Sequence, residues 1–197
     1  MKNAESEYPV HELIGKRWSP YVFADRAVPR DDLRSLFEAA RWTMSSYNAQ
    51  PWRYIVGILG YSDALRDQVF SVLLEGNQAW AGRAPVLALG LVEHNFEHNG
   101  KPNKAAVHDL GAASAQLTLE ATARGLCVHQ MVGIDPDKAR EVFDLPDSIE
   151  PFTGLAIGYP GKAEDADEEF ASRDSRPRVR KPMQDIFLAG FDFLIPG

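Results

Sequence analysis

Between Trp42 and Trp52 the chain reads Trp-Thr-Met-Ser-Ser-Tyr-Asn-Ala-Gln-Pro-Trp, which gathers two hydroxyls (Ser45, Ser46), two carboxamides (Asn48, Gln50) and an indole into one short stretch. Pro51 fixes its own φ, lacks an N–H and steers Gln50 out of helical space, so the stretch is extended and presents its amides outward. A flat heteroaromatic ring is one partner that matches this donor and acceptor set. A polar connection whose serines and asparagine cap helix ends accounts for the same residue types.

A second group of side chains is cationic. Arg173, Arg176, Arg178, Arg180 and Lys181 surround a single acid, Asp174, and follow an acidic block of Glu164, Asp165, Asp167, Glu168 and Glu169. In a chain of net charge −7, such a late concentration of cations suits an anion. A solvated loop whose two charge blocks satisfy each other is the other reading. Near the start, Pro20 disfavours helical dihedrals at Ser19, so Arg17 and Ser19 are displayed at a turn where a guanidinium fork and a hydroxyl can reach one phosphate.

Several chemistries are excluded. The chain has no Gly-x-Gly-x-x-Gly, no Walker loop, no Gly-x-Ser-x-Gly elbow and no Cys-x-x-Cys, so any phosphate must be held by side chains. Cys127 lies in an apolar run where burial raises a thiol pKa, which fits an inert core cysteine. His129 reads as a polar probe or as a hydrogen-bonded core imidazole. His94 and His98 have zinc-compatible spacing only on a helix, which Asn99-Gly100 opposes. No carboxylate pair stands out for acid and base work. A polar docking loop, separated arginines and no catalytic dyad suggest that a bound cofactor carries the reactivity.

The length of 197 residues, with 45% hydrophobic and 25% charged residues, predicts a single domain over residues 1–197 with its own core. No run approaches the roughly 18 apolar residues of a membrane span, and Met1 to Pro9 is polar, so neither a membrane partner nor a secretory signal is expected. The lone cysteine fits a reducing, cytoplasmic setting, and the net negative charge argues against nucleic acid.

Periodicity predicts the elements that position these groups. Val10 to Arg17 reads as a short helix with Val10, Leu13 and Ile14 inward, and a second helix starts at Pro29 with Leu33, Leu36, Phe37 and Ala40 on one face. Tyr54–Leu59, Ala84–Val92, Leu126–Ile134 and Phe152–Tyr159 read as strands. Ser62–Leu74 is helical, Glu75–Trp80 breaks that helix, and Lys104–Arg124 is the longest helix, dense in small residues and stopped by Gly125. Asp135-Pro136 starts another helix. The charged stretch then runs as a connection to Lys181. Pro182 opens a short helix, and the apolar tail within 182–197 is expected to dock on the body or on a second subunit.

From about Ile14 to Ala189 the chain resembles the FMN-dependent nitroreductase family in four motifs, in order: Arg17-Trp18-Ser19, Ser45-Ser46-Tyr-Asn48-Ala-Gln50-Pro-Trp52, Asp109-Leu-Gly through Ala121 to Gly125-Leu126, and Arg178-Val-Arg180. The resemblance implies an α+β fold, a central mixed but mainly antiparallel sheet flanked by helices, and an interlocked homodimer. It also implies FMN as cofactor, NADH or NADPH as donor, and a small electron-poor acceptor such as a nitroaromatic or quinone. By the same resemblance the Arg17-Trp18-Ser19 motif, with Arg178 and Arg180, holds the flavin phosphate, and Tyr21 lies toward the N1/C2 edge of the flavin; Trp18, Tyr21, Tyr47 and Trp80 either wall the acceptor side or pack in the core. Ser45, Ser46, Asn48 and Gln50 reach the flavin from the partner subunit, and Asn77 lies at the isoalloxazine. The turn Gln130, Met131, Val132 and Gly133 offers backbone N–H groups to flavin N5, with no side chain catalytic.

Three positions depart from the family pattern. Tyr21 and Trp80 stand where members often carry cations, and Met44 replaces a proline. Loss of those cations predicts a lower flavin potential unless another donor substitutes, and leaves open a flavin-binding or sensing protein with little turnover. Dehalogenation or flavin destruction would need a lid, for which His94 to Asn103 is short.

Overall fold

A computed structural model describes residues 2–189. Four strands, β1 (Trp52–Ile58), β2 (Val86–Glu93), β3 (Cys127–Met131) and β4 (Ile149–Gly158), form one sheet in the order β1-β2-β4-β3. Every pairing among the described residues is antiparallel, so the mainly antiparallel sheet is observed without a parallel pair. β2 is buried along Val86 to Val92 and alternates between the two faces. Val86, Ala88 and Val92 enter one core, while Leu87, Leu89 and Leu91 enter the other. Pro151 sits in β4 where the register slips opposite Gly90 and Leu91, the kind of irregularity that tolerates a missing N–H.

The described residues form seven α-helices: α1 (Glu12–Lys16), α2 (Arg30–Arg41), α3 (Asp63–Ser71), α4 (Glu75–Ala81), α5 (Ala106–Ala123), α6 (Pro136–Phe143) and α7 (Glu168–Ser175). α2 and α5 pack together over one face, where Leu36, Leu110 and Leu117 are fully buried. Each such side chain contributes about 2 kcal/mol through removal from water. Residues of α3, α4, α6 and α7 close the second core through Val69, Trp80, Ala139 and Phe170. Gly125, at φ +73°, stops α5 as its sequence predicts, and the Asp135 carboxylate caps α6 by accepting from the Lys138 N–H at 3.0 Å.

Three expectations are corrected. Ile14 of α1 is 51% exposed and Val10, just before the helix, is also exposed, so of the three residues expected to face inward only Leu13 is half-buried. Glu75 to Trp80 forms α4, because Trp80 anchors that turn beneath Tyr21 and Phe23. The charged connection folds into a 3₁₀ turn, Ala163–Asp165, and α7, with Phe170 as its buried residue. The docking expected of the tail concerns residues 190–197, which lie outside the described residues.

Candidate functional site

The two chain-terminal arms meet beside β3. Arg17, Trp18, Ser19 and Tyr21 from the turn after α1, and Asp174, Arg176, Arg178 and Arg180 from the end of α7 onward, line a cleft of about 240 Å³. Arg17 donates through Nη1 to the Ser19 hydroxyl at 3.2 Å. Arg178 donates through Nη1 to the carbonyls of Gly15, at 2.6 Å, and Lys2, at 3.0 Å, so it straps the N-terminal arm while standing in the cleft. Burial holds the Arg17 guanidinium below its ordinary pKa, with Arg180 pushing the same way. Burial does the same to Arg178, with Arg17 and Arg180 adding repulsion. Three cations that repel one another across a small cleft make it a candidate anion site. Trp18 also lines the cleft, and its indole N–H is buried with no hydrogen-bond partner among the described residues.

Pro20 ties this cleft to the sheet: its carbonyl accepts from His129 Nδ1 at 2.9 Å. Three residues further along the edge of the sheet, about 10 Å at the rise of an extended chain, lies Val132, 74% exposed. Val132 and Gly133 follow the last ladder pair, Met131 with Gly154. Beside them a cavity of about 260 Å³ is lined by Val107, Gly111, Gln130, Met131, Val132 and Phe152, among others. Gln130 turns its Nε2 toward α5, donating to Thr118 Oγ1 at 3.0 Å and to the Ser114 carbonyl at 3.2 Å. Asn77 Nδ2 donates to the Gly133 carbonyl at 2.9 Å, and the Leu74 N–H donates to the same oxygen at 3.0 Å, so the turn is pinned from α4.

The amide-bearing loop lies elsewhere. It leads into β1, at the opposite edge of the sheet from β3, three strand spacings or about 14 Å away. Tyr47, Asn48 and Gln50 adopt left-handed backbone with φ of 53°, 54° and 46°, conformations that cost of order 1 kcal/mol each. The loop is held by its surroundings. The Ser46 N–H donates to buried Asp109 at 3.0 Å, the Gln50 N–H donates to Ser45 Oγ at 3.0 Å, and the Tyr47 ring meets Phe96 edge-on at 5.8 Å. Asn48 is exposed, with its Oδ1 accepting from Gln50 Nε2 at 3.2 Å. Tyr47 is 86% exposed.

The structure therefore brings Arg17, Trp18, Ser19, Tyr21, Arg178 and Arg180 together, and Asn77 with Gly133. It leaves Ser45, Ser46, Asn48 and Gln50 at the far edge. Trp80, expected as a candidate wall for an acceptor, is 3% exposed and packs against Tyr21 and His129 in the core. Arg173 places its guanidinium 5.2 Å from the Tyr21 ring centroid while paired to Glu169. His94 pairs with Glu150 and His98 with Asn99, and no group of three metal ligands occurs among the described residues. Burial raises the Cys127 thiol to about 12, which removes it from nucleophilic chemistry. Asp109 and Asp174 were not singled out as site residues in the sequence, since each acts through backbone N–H groups distant in the chain.

The family description "Nitroreductase family" matches residues 14–159. A solved structure described as an oxidoreductase containing FMN shares 33% identity at a TM-score of 0.88, with 96% of each chain covered. An uncharacterised 15.4 kDa protein of Mycolicibacterium smegmatis is 39% identical over 144 residues, covering 70% of this chain and 95% of its own. The major NAD(P)H-flavin oxidoreductase of Aliivibrio fischeri is 26% identical over 219 aligned residues, covering 90% of this chain and 96% of its own. With a matched segment that spans the anion cleft's first arm, the strained loop and the whole sheet, this chain belongs to the nitroreductase family.

Proposed function

We propose that this chain is an FMN-dependent NAD(P)H oxidoreductase that passes hydride to small electron-poor acceptors such as nitroaromatics or quinones in a ping-pong cycle. The observation that carries the reading is the cleft lined by Arg17, Arg178 and Arg180, beside the β3 edge of the sheet that leads to the exposed turn at Val132. The donor set suits a phosphate monoester, and the apolar lining by Val107, Met131 and Phe152 suits a ring system. FMN, when bound, supplies the capacity to accept hydride from reduced nicotinamide and to release it to an acceptor.

The chain's own residues bind and orient. Arg17, Arg178, Arg180 and Ser19 would hold the phosphate. The exposed turn of Val132 and Gly133, fixed by Asn77, would offer its backbone N–H groups to the ring of a bound flavin. The loop of Ser45, Ser46, Asn48 and Gln50 leads into the opposite edge of the sheet from β3, and on this reading it completes the cleft of a partner in a homodimer. Exposure of Ile14, Trp42, Met44, Tyr47, Val107 and Val132 supports such an interface. A cytoplasmic setting rests on the single cysteine.

The test is the absorbance spectrum of the purified protein. A flavin band that bleaches within a catalytic turnover on anaerobic mixing with NADH or NADPH supports the reading. A protein still colourless after incubation with FMN overturns it, and a stable band that neither nicotinamide bleaches identifies a flavin binder without turnover.

A further inference from the structure

Among the described residues Asp174 is the single acid lining the cationic cleft, and its place there is at odds with simple charge matching. A carboxylate beside Arg17, Arg178 and Arg180 lowers the positive potential that an anion feels. Yet its oxygens are directed at main chain. Oδ1 accepts from the Tyr21 N–H at 3.0 Å, and Oδ2 accepts from the Tyr21 N–H at 3.1 Å and from the Val22 N–H at 3.0 Å. These bonds join positions more than 150 residues apart and reach the peptides directly after Pro20. The neighbouring side chains reinforce the same seam, with Arg173 over the Tyr21 ring and Tyr21 stacked on Phe170 at 6.0 Å.

We propose that Asp174 is the positioning residue of the anion cleft: by holding the Tyr21 and Val22 N–H groups it docks the arm carrying Arg178 and Arg180 against the turn carrying Arg17 and Ser19. The proposal rests on the reading of this cleft as the FMN phosphate site. It predicts an effect opposite in sign to electrostatics. Asp174→Asn removes a negative charge from the cleft and, by Coulomb's law, raises affinity for a phosphate. As a brace, the asparagine keeps one acceptor oxygen and turns an N–H toward a backbone N–H, so the arms separate and affinity falls.

The experiment compares FMN with riboflavin, which lacks the phosphate, by flavin fluorescence quenching on wild type, D174N and D174E. A drop of about tenfold or more in FMN affinity for D174N, with riboflavin affinity little changed and part of the loss recovered in D174E, is expected. FMN binding that is unchanged or tighter in D174N overturns the proposal, as does a parallel loss of riboflavin. Failure of the flavin reading shows separately, as a wild-type chain that binds no FMN. Calorimetric titration with inorganic phosphate then serves as the probe: weaker binding to D174N than to wild type supports the brace, and equal, tighter or undetectable binding to wild type and D174N alike overturns it.

Discussion

Asn77 and Gly133 fit together with no room between them: a Cβ on Gly133 would stand 2.4 Å from the Asn77 Nδ2 that donates to the Gly133 carbonyl. A side chain at position 133 must displace the group that pins the turn. Gly133→Ala is expected to cost about 1–3 kcal/mol, as overpacking does, and to lower Tm by about 2–4 °C for each kcal/mol. Combining it with Asn77→Ala removes the obstructing nitrogen, so the double variant loses less than the sum of the singles. Thermal denaturation of the four proteins measures the coupling, and strict additivity refutes it.

Arg178 and Arg180 occupy the same cleft with different attachments. Arg178 holds the carbonyls of Lys2 and Gly15, whereas Arg180 donates to the adjacent Val179 carbonyl. Arg178→Ala is expected to lower both Tm and FMN affinity. Arg180→Ala is expected to lower FMN affinity about tenfold, one lost charge-assisted contact, with Tm nearly unchanged. Equal thermal losses in the two variants would remove the distinction.

His129 makes stability depend on pH. Burial depresses its imidazole pKa below the ordinary 6.5, and the Pro20 carbonyl and Asp174 oppose that shift only in part. The unfolded chain therefore takes up a proton near pH 6.5 while the folded chain takes one up only at lower pH. The stabilisation is complete above the unfolded pKa and is lost as pH falls toward the folded one. His129→Asn retains an N–H for Pro20 and cannot titrate. Its Tm is expected to fall less than that of wild type between about pH 7 and pH 5. Parallel profiles would show that His129 is not the titrating group.

The Cys127 thiol, raised to about 12 by burial, is expected to be silent toward a thiol-specific disulfide reagent in the folded protein and to react fully in denaturant. Rapid labelling of the native chain at pH 8 would contradict the burial. Cys127→Ala should leave flavin binding unchanged.

The elements carried by local signals were legible in the sequence. Gly125 stops α5 and Asp135 caps α6 because left-handed backbone and N-terminal acceptors are local requirements. The arginines that line the cleft were legible through the motifs that hold Arg17, Arg178 and Arg180, although other arginines of the chain, such as Arg41 and Arg124, serve ordinary ion pairs. What was not legible depends on approach in space. α4 exists because Trp80 finds Tyr21, Phe23 and His129, none of them near it in sequence. Asp174 reads as the one acid in a basic run until its partners, Tyr21 and Val22, are placed beside it. Val10 and Ile14 misled in another way: their pattern is that of a buried stripe, yet both are exposed.

The separation of the strained loop at β1 from the arginines at β3 has a genetic consequence. In the proposed homodimer, each flavin draws on the arginines of one copy and the amides of the other. A copy lacking Arg17 and Arg180 and a copy lacking Asn48 and Gln50 are each inert alone. Mixed together, they rebuild one intact site per hybrid pair, so random co-assembly of equal amounts restores flavin to about a quarter of all sites.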